Sequence, residues 1–214
     1  MDRVRAGLTM IEFMVVVTII GVMLGTAALQ VRPWFADAHI KSSARAAADA
    51  LHMARSESVR TGSVHLAVFQ QALGADAAIV VANDGPAAGM NCQVDAGETV
   101  HRVSLERGVA WGTSSAQSNG VSAPEDQGVA GTSVATGSTF TDASRLSGNT
   151  ATWIAFLPDG MPRLFTPATC ASLGRPGQGA GGIYLTNQRR DYAVVLSPLG
   201  AVRVHAWNGS GWTL

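Results

Sequence analysis

The sequence predicts an α+β fold, with one long N-terminal α-helix packed on an antiparallel β-sheet. Three observations carry that prediction. Leu8 to Leu29 is an almost unbroken apolar run. From Phe35 to Ser58, small and apolar residues recur at spacings of three and four, the mark of an amphipathic helix. Beyond Gly62 the period drops to two, and the chain closes on three short alternating runs.

Leu8–Leu29 is 22 residues, about 33 Å of helix, enough to cross a bilayer core. Arg3 and Arg5 precede it, which favours a cytoplasmic N-terminus. An ordinary signal peptide has a shorter apolar region followed by a small-residue cleavage site. Here the small residues Ala6 and Gly7 stand in front of the run. Glu12 lies inside it, where a carboxylate costs roughly 2.5–3.5 kcal/mol at the centre of a span and less near the interface. An ionisable group in such a place needs a partner.

The second half of the helix carries Phe35, Ile40, Ala44, Ala47, Leu51, Ala54 and Ser58 on one stripe, with Lys41, Arg45, Asp49, Arg55 and Glu57 largely off it. Thr61-Gly62 supplies the stop. Pro33 interrupts the pattern and predicts a kink, and Gly21 and Gly25 weaken the helix upstream, so residues 21–33 are expected to loosen or bend. Strands are predicted over 63–69, 77–83, 99–105 and 152–157, then over 182–188, 191–197 and 201–207 as an antiparallel meander whose face covers the helix. The stretch between Trp111 and Trp153 is rich in Gly, Ser, Thr and Ala and reads as a flexible surface loop, about 112–151.

The residues Gly7-Leu8-Thr9-Met10-Ile11-Glu12, followed by the apolar run, resemble the processing motif of type IV pilins and type II secretion pseudopilins. Leu8 and Met10 depart from the usual phenylalanine and leucine. The resemblance implies a prepilin leader, residues 1–7, that a prepilin peptidase removes between Gly7 and Leu8, with N-methylation of the new Leu8 amine. It implies a pilin-like fold with a transmembrane helix half (8–31), a periplasmic helix half (32–61) and a β-rich globular domain (62–214). Glu12 then falls four residues after the new amino terminus, where the family's carboxylate meets the amine of a neighbouring subunit. That implies a carboxylate unsatisfied until another subunit arrives. The implied partners are other minor and major pilins or pseudopilins, the peptidase/methyltransferase, the inner-membrane assembly platform and the inner membrane itself.

Downstream, "ALHMARSESVRTG" (50–62), "FLPDG" (156–160) and "VVLSPLGAVRV" (194–204) resemble, in that order, the GspH/FimT group of minor pilins and pseudopilins. Some FimT-like members bind DNA through a G-R-x-R pattern near the last hairpin. The corresponding turn here is Gly200-Ala201-Val202-Arg203, without the first arginine. Arg189, Arg190 and Arg203 offer at most a weak DNA contact. With the leader removed the formal charge is −1, so phosphate-driven affinity is expected to be small and DNA is an unlikely partner.

Nothing in the sequence supports an enzyme, a metal or a cofactor. Gly177, Gly179 and Gly182 satisfy G-x-G-x-x-G, but a loop precedes them and a strand follows, the wrong context for a dinucleotide fingerprint. His39, His52, His65, His101 and His205 show no paired ligand spacing, and no G-x-S-x-G elbow occurs. Cys92 and Cys170 both fall on the side that would be periplasmic. They form either a disulfide closing about 78 residues, worth roughly 4–5 kcal/mol on the chain-entropy account, or two buried thiols.

Overall fold

The computed structural model describes residues 9–69, 77–85, 90–114, 118–128, 131–140, 151–163, 176 and 178–214. The chain forms two compact units, Met1–Ala36 and Asp37–Leu214. Helix α1 (Met10–Thr61) contributes to both.

In the first unit, every side chain from Met10 to Ala27 is exposed, over a stretch of mean hydropathy 2.2 that is long and apolar enough to cross a membrane. Its hydroxyls are satisfied by the helix itself. Thr18 Oγ1 donates to Met14 O at 2.8 Å, and Thr26 Oγ1 donates to Met23 O at 3.0 Å. A hydroxyl bonded to its own backbone carries little penalty in hydrocarbon. Nothing lies within 4 Å of where a Cβ would stand on Gly21 or Gly25, so no packing among the described residues requires either glycine. The helix continues through Pro33. Trp34 and Phe35 are exposed and pair edge-to-face, with ring centroids 5.4 Å apart. Phe35 is therefore not the start of the buried stripe that its spacing predicts.

In the second unit the stripe itself holds. Ile40, Ala44, Ala47, Leu51, Ala54 and Ser58 are fully buried, while Lys41, Arg45 and Asp49 face solvent. The helix ends as its sequence predicts: Gly62 takes a left-handed conformation (φ 67°) and its N–H donates to Ser58 O at 3.1 Å, capping an otherwise orphaned carbonyl. Arg60 pairs with Glu57 at 2.6 Å on the last turn.

The strands form two five-stranded antiparallel sheets, where the sequence predicts one. The first contains β1 (Val64–Phe69), β2 (Ala78–Asp84), β3 (Val100–Ser104), β5 (Trp153–Phe156) and β6 (Pro162–Arg163), in the order β3-β2-β1-β5-β6. The second contains β4 (Ala110–Trp111), β7 (Gly181–Thr186), β8 (Asp191–Leu196), β9 (Val202–Trp207) and β10 (Trp212–Thr213), in the order β10-β9-β8-β7-β4. The β1–β2 register runs from Val64↔Asp84 to Phe69↔Ile79, and the β7–β8 register from Gly181↔Leu196 to Thr186↔Asp191. One core joins the helix stripe to both sheets: Phe69, Ile79, Val81, Ile154 and Phe156 from the first, Ile183, Leu185, Val194 and Leu196 from the second.

The two sheets also meet at the end of α1. Arg55 Nη1 donates to Gly200 O at 2.8 Å. A Cβ on Gly200 would stand 3.1 Å from the Arg55 guanidinium carbon and 3.1 Å from Gly160 O, and one on Gly160 would stand 3.0 Å from Val59 Cγ2. The turn after β5 and the turn after β8 therefore close onto the same helix residues, and glycine is what lets them come that near.

The described part of 112–151 is not the free surface loop its composition predicts. It includes a short helix, α2 (Thr132–Thr136), and the buried residues Ser118, Ala123, Val134, Ser138, Thr139 and Phe140. Two carboxylates organise it. Asp126 accepts from Tyr184 Oη at 2.5 Å, Thr139 Oγ1 at 2.8 Å and Gly128 N at 2.8 Å. Asp191, buried at the start of β8, accepts from Ser118 Oγ at 2.5 Å and from Ser114 N and Oγ at 3.1 Å each. Burial and the Asp126 carboxylate beside it push the Tyr184 hydroxyl well above its ordinary pKa, so it stays a donor. Phe140 packs against Phe69, centroids 5.4 Å apart, and crosses Gly181 so closely that a Cβ there would stand 2.6 Å from its ring. Gly179 and Gly182 are similarly crowded: a Cβ would stand 2.5 Å from Pro162 C at the first and 3.0 Å from Asp126 Oδ2 at the second.

His205 on β9 and His65 on β1 are both buried, and both ring nitrogens of His205 lack a partner among the described residues. Burial holds each pKa below the usual histidine value; at His205 the nearby Glu125 opposes the shift and Arg203 adds to it. A histidine with a lowered native pKa binds protons less readily folded than unfolded. Stability is therefore unaffected above the unfolded value of about 6.5 and falls as pH drops below it. The urea midpoint should be lower at pH 5.5 than at pH 7.5, and His205→Gln should flatten that difference; an unchanged slope would remove His205 as its source. Phe140→Ala should lower the unfolding free energy by about 3–5 kcal/mol, whereas a phenylalanine on a free loop would change it by less than about 0.5.

Candidate functional site

The start of α1 is built from Thr9-Met10-Ile11-Glu12. Thr9 precedes the first helical residue, and its side chain and that of Glu12 satisfy one another's backbone. Glu12 N donates to Thr9 Oγ1 at 3.3 Å, and Glu12 Oε2 accepts from Thr9 N and from Thr9 Oγ1, both at 3.1 Å. This is a capping box, in which an acidic side chain three residues inside a helix closes back on the cap residue. It also places negative charge at the positive end of the helix dipole. Glu12 is exposed, with Ile11, Phe13, Met14 and Val15 exposed around it.

The arrangement revises one expectation. The carboxylate is not left bare in the isolated chain, because Oε2 is occupied by Thr9, while Oε1 makes no hydrogen bond among the described residues. The site thus has one oxygen engaged in holding the helix start and one open. The T-x-x-E spacing that produces the box is legible in the sequence. Thr9 is the capping residue that a reading centred on Glu12 passes over.

Gly7, Leu8 and Cys170 lie outside the described residues. Gly21, Gly25 and Pro33 all fall within α1. Cys92 is buried against Val64, Leu66 and Ala155, with its N–H donating to Asp84 Oδ2 at 2.8 Å, and no free cysteine occurs among the described residues. Arg189 and Arg190 stand together on the β7–β8 turn, where Asn187 Oδ1 accepts from both of their backbone N–H groups at 3.0 and 2.8 Å. Arg190 Nε donates to Asp37 Oδ2 at 2.8 Å, a pairing across 153 positions that no local pattern announces. Arg203, on β9, is paired with Glu125 at 2.6 Å. It does not line the cavity at the β7–β8 turn that Arg189 and Arg190 share with Asp37. Among the described residues, no group of three or more His, Cys, Asp or Glu side chains is disposed to hold a metal ion.

Comparison with known proteins bears on the helix start. Residues 2–28 match the family model described as the prokaryotic N-terminal methylation motif. No curated protein and no solved structure matches the chain. The matched segment contains Gly7, Leu8, Thr9 and Glu12 and the exposed apolar helix that follows them. With the α+β arrangement of an N-terminal apolar helix and antiparallel sheets, the match supports a type IV pilin-like protein.

Proposed function

We propose that this chain is a non-catalytic minor pilin of the GspH/FimT type, which primes assembly of a type IV pilus and sits at or near the fibre tip. The observation that carries the reading is the methylation-motif match at 2–28, with Glu12 in the first turn of an apolar helix whose side chains from Met10 to Ala27 are all exposed. Hydrolysis of the Gly7–Leu8 bond by a prepilin peptidase frees the Leu8 amine, which is then methylated. The processed subunit waits in the inner membrane, its sheet-bearing domain in the periplasm, until the assembly platform adds it to the fibre.

Glu12 has two tasks in this scheme. Through Oε2 it holds the helix start together with Thr9. Through the open carboxylate oxygen it receives the cationic amine of a neighbouring subunit, an attraction that water screens little in a lipid-like setting. The Leu8–Leu29 segment packs first in lipid and then among the helices of the fibre, and the sheet domain supplies lateral contacts to other pilins.

Glu12→Ala should leave leader cleavage and the fold of the globular domain intact while reducing incorporation into sheared fibres, read by immunoblot of the sheared fraction. Normal incorporation would sink the assembly role of the carboxylate. In a deletion strain, surface pili should be lost and partly recovered when the retraction motor is also removed. Unchanged pili in both backgrounds would transfer the assignment to a GspH-like pseudopilin of a type II secretion system.

A further inference from the structure

A cavity of about 380 Å³ opens at the β7–β8 turn, lined by Asp37, Arg189, Arg190, Trp207, Asn208 and Gly209. Its charged groups are two guanidiniums against one carboxylate. Arg190 is partly neutralised by Asp37 through the 2.8 Å contact, but its side chain remains 54% exposed. Arg189 is exposed and makes no ion pair among the described residues. The turn carrying both is fixed by Asn187, so the guanidiniums start from a defined backbone. Two polar atoms of lining residues, Asp37 Oδ1 and the indole Nε1 of Trp207, are buried with no hydrogen-bond partner among the described residues.

We propose that this cavity binds the phosphate of an anionic lipid headgroup. The surplus of one positive charge matches the single negative charge of a phosphodiester, and guanidinium forks suit its paired oxygens. The position in the chain favours lipid over other phosphates. Asp37 stands ten residues beyond Ala27, the last residue of the apolar window, with the exposed aromatics Trp34 and Phe35 between them. Tryptophan and other aromatics at the end of an apolar span collect at the membrane surface. The cavity thus includes the first residue of the domain to follow the apolar helix, and the proposal rests on that helix lying in a membrane. A nucleic acid needs cations along a track. Arg203, the next candidate, is held by Glu125 and does not line the cavity.

In detergent micelles, the full-length chain should bind dioctanoyl phosphatidylglycerol saturably at one site, read by tryptophan fluorescence and calorimetry. Dioctanoyl phosphatidylcholine should not bind there. Arg189→Gln, at an exposed turn position, should keep the fold and weaken binding about fivefold, the loss expected for one arginine at an anionic surface. Arg190→Gln should weaken it at least as much. Equal affinity for the two lipids, or unaltered binding by Arg189→Gln, would overturn the proposal. So would inorganic phosphate binding as tightly as the lipid, or a short DNA duplex displacing it at equal phosphate concentration. Carbonate extraction of membranes separates this result from its premise. Release of the chain would remove the membrane reading, whereas retention without lipid selectivity would remove this site alone.

Discussion

The globular domain depends on one narrow surface, the buried face of α1 between Ile40 and Ser58. Five of its buried positions, Ala44, Ala47, Ala48, Ala50 and Ala54, are alanine. A row of methyl groups keeps the helix thin, so the large side chains in the joint core come mostly from the sheets: Phe69, Ile79, Ile154 and Phe156 from one, Ile183, Leu185 and Leu196 from the other. Interiors pack to crystal-like density, and enlarging any of these alanines would force strands apart. Arg55 adds the directional element that alanine lacks. Its bond to Gly200 O, with Gly160 O beside it, fixes where two turns from different sheets converge. Hydrophobic burial supplies the energy of this arrangement, and the arginine and two glycines specify its geometry.

How much of this was legible in the sequence depended on the range of the forces involved. Strands such as Val64–Phe69 and Asp191–Leu196 are six residues each, mostly apolar and valine-bearing, and each is long enough to be read as a buried strand. Ala110–Trp111, Pro162–Arg163 and Trp212–Thr213 are only two residues each and carry no period, because they exist only as edges of strands formed elsewhere. The division into two sheets is likewise invisible locally, since β1 pairs with β5 across about 90 positions. The segment after Trp111 misled by composition. Its order comes from Asp126 bonded to Tyr184 and Asp191 bonded to Ser118, and from a single aromatic anchor, Phe140. Polar contacts over 58 and 73 positions leave no mark on a hydrophobicity pattern.

At the other end of the chain the sequence was close to sufficient. T-x-x-E before an apolar run has the spacing of a capping box, and the geometry realises it, although a reading centred on Glu12 expects the carboxylate to be unsatisfied. The same four residues also lie in the segment that matches the methylation motif. Two requirements therefore fall on Glu12. A helix about to enter lipid must satisfy its first N–H groups before water is lost, and a cap does this locally. The proposed recognition by another subunit would need an anion that local bonding has not exhausted, and Oε1 makes no hydrogen bond among the described residues.

The remaining question is whether one carboxylate could keep such a helix out of lipid. Between Met10 and Leu24, twelve large apolar side chains are at least 46% exposed. Full burial of such a side chain stabilises by about 1.5–3 kcal/mol, so even half that benefit at each comes to roughly 10 kcal/mol or more in favour of an apolar environment. Against this stand about 2.5–3.5 kcal/mol for an acidic residue at mid-span, less for one a single turn from the end. The apolar term wins by a margin that no refinement of either figure reverses. Glu12 is therefore a tolerated cost on a helix whose burial is driven by its neighbours. The same margin holds if the apolar surroundings are other helices instead of lipid tails, because the transfer from water is common to both. What distinguishes the two settings is the cation: lipid tails supply none, and a neighbouring amino terminus does. In the proposed assembly, the carboxylate would contribute little to whether the helix is buried and much to which neighbour it is buried against.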